Sequence, residues 1–152
     1  MTVHKINSSD LENDYTLIAI HSNAEAYKLA FEINLKLKTN LEKSPFNITF
    51  KGNDSVFELF KHVSETYNTK LYLISNKSFV ETKISTPSLF ENFSASRHLI
   101  PELKKAEFLI KIEGGGFKID SLLKKLNEIN SIVSCYLTKV NSDKSKYNLI
   151  FD

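Results

Sequence analysis

Hydrophobic and polar positions along the chain change period several times, and each change predicts an element. Tyr15–His21 is apolar on both faces, with Leu17 and Ala19 set against Ile18 and Ile20, which predicts a strand inside a sheet. Ser22-Asn-Ala-Glu25 has the spacing of a capping box and opens a predicted helix that runs to about Leu41. Ala26, Ala30, Ile33, Leu37 and Leu41 form its buried stripe, while Glu25, Lys28, Glu32, Lys36 and Lys38 lie largely outside it. Beyond Ser44-Pro45, the β-prone runs 46–51 and 56–63 flank Gly52-Asn53-Asp54, predicting a hairpin, and Thr69–Ser75 predicts another strand. Residues 76–99 hold no period. They are read as a long covering loop whose Phe79, Val80, Ile84, Leu89, Phe90 and Phe93 pack downward.

The second half repeats the order. Residues 107–113 read as a strand with Phe108, Ile110 and Ile112 on one face, and Asp120 is the expected N-cap of a helix over 121–130. Leu122, Leu126 and Ile129 form that helix's stripe. Residues 132–140 alternate with Val133, Cys135 and Leu137 on one side; 141–146 are a polar turn and 147–151 a closing strand. Residues 1–14 are an N-terminal arm or edge strand.

Together these elements predict a single α+β domain over 1–152: a mainly antiparallel sheet with two helices on one face, ferredoxin-like or a duplicated strand-helix-strand-strand arrangement. The opposite face is expected to carry Ile18, Ile20, Phe60, Tyr72, Ile74, Leu109, Tyr136 and Ile150. So large an apolar surface needs cover, from the 76–99 segment or from a second subunit, so a homodimer is expected.

Composition narrows the partners. A chain of 152 residues buries enough surface for a real core, and 41% apolar with 25% charged residues is globular. Only Arg97 among 20 basic residues is arginine, and the lysines interleave with acids, which points away from nucleic acid. No apolar run approaches the roughly 20 residues of a membrane helix, and no secretory leader is evident, so a cytoplasmic protein without a membrane partner is expected. Cys135 is alone, which rules out an internal disulfide.

Candidate chemistry is sparse. His4, His21, His62 and His98 form no metal-ligand spacing, and neither a metal nor another cofactor is expected. His21 sits at a strand end before a helix start, where an ordinary hydrogen-bonded histidine is the leading reading. Cys135 reads as a small buried hydrophobe. Gly114-Gly115-Gly116 is read as a chain reversal, since it matches no phosphate-binding spacing.

One local pattern stands out: Ile100-Pro101-Glu102, three spacer residues, then Ala106-Glu107. It resembles the IPExxxVD family of small bacterial (Bacteroidetes) proteins, with Ala-Glu where that family has Val-Asp. The similarity extends to Val3-His4-Lys5, the Tyr15–His21 strand, the following helix and Asn148-Leu-Ile-Phe. The resemblance brings no activity with it. Read structurally, Pro101 opens a short helical turn, Glu102 faces its positive end and Glu107 caps or pairs where a strand begins. Read functionally, Arg97, His98, Pro101, Glu102 and Glu107 surround a small polar pocket. The expectation is a non-enzymatic, self-associating interaction or small-ligand-binding module. The alternative is a small hydrolase or transferase using Glu102 and His98.

Overall fold

Leu17–Ile20 is apolar at every position, and all four residues are buried because their strand has neighbours on both sides and cover on both faces. The computed structural model describes residues 15–49, 55–80 and 98–150. Its elements are β1 (Tyr15–Ser22), α1 (Ala26–Leu37), β2 (Glu42–Lys43), β3 (Ile48–Thr49), β4 (Ser55–Phe57), β5 (Leu59–Ser64) and β6 (Thr69–Ser75). There follow β7 (Phe79–Val80), a short 3-10 turn (Pro101–Leu103), β8 (Phe108–Glu113), α2 (Ile119–Asn127), β9 (Ile132–Thr138) and α3 (Asp143–Tyr147).

The larger sheet has the order β2-β5-β6-β8-β1-β9, with every neighbouring pair antiparallel. Within it, β6-β8-β1-β9 with α1 and α2 has the ferredoxin-like order, and β5 and β2 extend the sheet. The expected α+β architecture is therefore what the chain adopts. On one face, Ile18, Ile20, Leu71, Leu73, Ile110 and Ile112 pack under Leu29 and Ile33 of α1 and Leu122 and Leu126 of α2. An ion pair of 2.7 Å between Lys36 and Glu128 ties the two helical segments together at the surface, and Lys36 holds the Glu128 carboxyl below its usual range.

The second face departs from expectation. Ile18, Ile20 and Phe60 belong to the helix side, because the register sets Ile18 opposite Ile110 and Ile20 opposite Phe108. Leu17, Ala19, Tyr72, Ile74 and Leu109 form the other side, while Tyr136 and Ile150 are exposed. That side is dry without a second subunit. Leu99, Ile100 and Ala106 around the 3-10 turn, Val140 and Leu149 near the C-terminus, and Phe57 of β4 all pack onto it. Lys111 reaches through this layer, its ammonium donating to the Leu149 carbonyl at 2.7 Å. The need for a partner to cover this face is thus overturned. Of the 76–99 segment, residues 81–97 lie outside the described residues, as do 1–14 and the 50–54 turn.

Local boundaries shift for identifiable reasons. α1 stops at Leu37 rather than Leu41, because Lys38 turns left-handed at φ 57° and the Asn34 side chain captures the exit. Asn34 Oδ1 accepts from Leu41 N–H at 2.7 Å, and its Nδ2 donates to the Leu41 carbonyl at 3.1 Å. Ser22 does not cap α1. Its hydroxyl donates to the Ser131 carbonyl at 2.6 Å, so the helix begins after Glu25 without a side-chain cap. α2 begins after Lys118, so Asp120 lies in its first turn. The run 56–63 divides at Glu58, its first part joining the small β3-β4-β7 sheet and its second the main sheet. Where a closing strand is expected at 147–151, residues 147–150 are instead the end of α3 and a turn, with Ser142 as N-cap, and 151 lies outside the described residues.

Candidate functional site

Antiparallel pairing of β1 with β8 sets Ile20 opposite Phe108. The residue beyond each, His21 and Glu107, therefore meet at the same sheet end. Glu107 Oε2 accepts from the Ser22 amide at 3.1 Å and lies 3.9 Å from His21 Nδ1. On the other side, β9 places Tyr136 opposite Ala19, diagonal to His21, and its hydroxyl is hydrogen-bonded to His21 Nε2 at 2.9 Å. The imidazole is thus held between a carboxylate and a phenol. Reading His21 as a hydrogen-bonded junction residue holds, with partners that sequence separation hides.

The split β-α-β connection brings the start of α1 to this end, and a cleft of about 510 Å³ opens between it and the ends of β6 and β8. Ser22, Asn23, Glu25, Tyr27, Glu58 and Lys77 are among its lining residues, together with Glu107. Three carboxylates face one ammonium there, and Glu58 is itself paired with Lys43 at 3.3 Å. The cleft is rich in acceptors and suits a ligand that brings donors. A groove of about 540 Å³ at the opposite end of β1, lined by Leu17, Ile119, Leu137 and Val140 with Asp120 and Lys139, is more apolar and contains none of the motif residues.

The structure describes four of the five expected pocket residues. Arg97 lies outside the described residues. His98 is half-buried and its backbone bridges to Lys77. Pro101 opens the 3-10 turn, as the missing N–H at a first helical position allows. Glu102 accepts a hydrogen bond from the Ser145 hydroxyl of α3. Among the described residues no hydrogen bond or ion pair joins Glu102 to His98. Of the described residues in this set, Glu107 lines the cleft.

What holds the motif is Asn76, a residue with no sequence signal of its own. It is wholly buried. Its Nδ2 donates to the carbonyls of Leu103 at 2.9 Å and Ala106 at 3.0 Å, and its Oδ1 accepts from Ile100 N–H at 2.8 Å. Its amide donates to the Glu107 carbonyl at 2.9 Å, so one side chain and one peptide group position the whole 100–107 turn. Ile100 and Ala106 anchor the turn in the second core.

Cys135 is buried, and burial pushes its thiol up to about 11. At neutral pH its thiolate fraction is about 100-fold below that of an ordinary cysteine, so alkylation of the folded chain should be at least that much slower than in denaturant. Because the folded state keeps this proton after the unfolded chain has lost it, stability contributed by Cys135 is intact below pH 9 and falls as pH rises toward 11. Urea midpoints of the native chain and Cys135→Ser across that window check the sign. Among the described residues no group of three or more His, Cys, Asp or Glu side chains could hold a metal ion, and no helix is long and apolar enough to cross a membrane. Comparison of the chain with protein families, curated proteins and solved structures finds no match.

Proposed function

We propose that the protein is a cytoplasmic, non-enzymatic, self-associating module that binds a small polar ligand in the cleft between β1, α1 and β8. The observation that supports this reading is the position of Glu107. The acidic residue of the Ile100–Glu107 motif enters the cleft lining while its carboxylate fastens the turn from β1 into α1. Its resemblance to the IPExxxVD motif fits a role at this place. Neither nucleic acid nor membrane is proposed as a partner.

Screening small donor-bearing fragments by amide chemical-shift perturbation tests the reading. Shifts should concentrate at Asn23–Tyr27 and Lys77. Glu107→Gln keeps an acceptor for Ser22 N–H but removes the charge, and it should weaken binding about tenfold, as expected for loss of one charge-assisted hydrogen bond. Shifts confined to the groove around Ile119 and Leu137 would refute this placement.

The His21 arrangement favours a second reading, a small hydrolase or transferase, with the carboxylate–imidazole pair moved from Glu102 and His98 to Glu107 and His21. Turnover of simple ester or phosphoester substrates that disappears in His21→Ala would support it, and its absence from the native chain would dismiss it.

A further inference from the structure

We infer that the groove at the Tyr15 end of β1 is a second binding site, which takes a small molecule with an apolar body and one carboxylate. It involves none of the residues that line the cleft and goes beyond the cleft reading. The groove exists because both cores come to the surface at one place. Leu17 and Val140 belong to the core of the second face, with Tyr15 packed against it. Ile119, the first residue of α2, packs against the helix-side core. The β1–β9 register sets Thr138 opposite Leu17 and Leu137 opposite Ile18, which brings a leucine that is 50% exposed to the same groove. The volume of about 540 Å³ lies within the roughly 300–1,000 Å³ usual for small-molecule sites.

Charge selects the ligand. Lys139 and Lys146 stand against Asp120 in the groove, whereas the cleft sets Glu25, Glu58 and Glu107 against Lys77. One end of β1 therefore carries an excess of one positive charge and the other an excess of negative charge. With a rise of about 3.4 Å per residue, the two ends lie roughly 20 Å apart, too far for one small molecule to span. Lys146 is only 3% exposed. An ammonium has three donors, so such a lysine can keep a neighbour within the protein and still donate to a bound anion.

A carboxylate fits this lining better than a phosphate. No arginine fork lines the groove, and a monoanion balances the single excess charge where a dianion would overshoot it. A bare anion would leave Leu17, Ile119, Leu137 and Val140 in contact with water, so the guest needs an apolar body to displace that water. One wall is set before any ligand arrives. The Lys111 ammonium sits 5.2 Å from the centroid of the Tyr15 ring while donating to the Leu149 carbonyl, which holds the ring against the second core.

Titration of the full chain with octanoate, followed by amide chemical shifts, tests the inference. Shifts should saturate at submillimolar octanoate and concentrate at Thr16, Ile119, Asp120 and Thr138–Val140, leaving Asn23–Tyr27 unmoved. Hexanoate, two methylenes shorter, should bind about tenfold more weakly. Octylamine keeps the chain but reverses the charge, and at this groove it should bind about tenfold more weakly than octanoate. Lys139 and Asp120 are exposed, so their variants should fold. Lys139→Glu should weaken octanoate about fivefold, and Asp120→Asn should tighten it about threefold. No shift at these residues, octylamine matching octanoate there, or an affinity indifferent to chain length and to Lys139→Glu would overturn the inference. Groove shifts that follow protein concentration instead of octanoate would make a second copy the occupant and overturn it too. Donor-bearing fragments at Asn23–Tyr27 report on the cleft separately, so either site can fail while the other stands.

Discussion

Asn76→Leu should destabilise the protein by about 3–5 kcal/mol, a large fraction of a typical folding free energy. The leucine fills similar space but strands the buried amide of Ile100 and removes the donor shared by the buried Ala106 carbonyl and the partly buried Leu103 carbonyl. Each buried group left unpaired costs about 1–3 kcal/mol, and the losses are not fully additive because the turn can relax. Relaxation itself moves Glu107, so fragment binding in the cleft should fall with stability. Denaturant unfolding followed by circular dichroism measures the first effect. A loss under about 1 kcal/mol would mean that the apolar anchors Ile100 and Ala106 hold the turn unaided.

Gly114→Val should cost about 3–4 kcal/mol, combining backbone strain with forced displacement of a neighbouring turn. Gly114 has φ +88°, and a Cβ there would lie 2.1 Å from the Asn68 carbonyl oxygen. Asn68 is itself left-handed at φ 49°, so the β5–β6 turn and the exit from β8 interlock backbone to backbone. No flexible side chain can yield. Gly115→Ala is the control: nothing lies within 4 Å of its added carbon, and the melting temperature should scarcely move. Equal effects at the two positions would show that general loop stiffness, rather than this contact, governs the run.

The same contrast shows what sequence reading could reach. Gly114-Gly115-Gly116 is legible as a reversal because the residue type states its conformational freedom, but which glycine is indispensable depends on Asn68, forty-six positions away. Strand Thr69–Ser75 is found with the bounds read from the sequence, since a buried strand announces itself by β-branched and aromatic density. The C-terminal turn of α3 was hidden. Tyr147–Phe151 has strand-like content, yet Leu149 is consumed as a plug in the second core and its carbonyl by Lys111. Glu107 was legible as part of a motif, whereas its meeting with His21 and Ser22 required the β1–β8 register.

By itself the sequence determined the α+β class, the buried stripes of the two longer helices and most of the positions where the chain reverses. Those properties follow from local periodicity and from backbone freedom, which each segment carries within itself. Tertiary structure decided which face each strand residue occupies, that the chain's own 99–106 and 140–149 segments seal the second face, and that Glu107 of the motif lines a cleft beside β1. These outcomes depend on strand register and on packing between residues far apart in the chain, and a single-residue change in register would send every side chain of a strand to the opposite side.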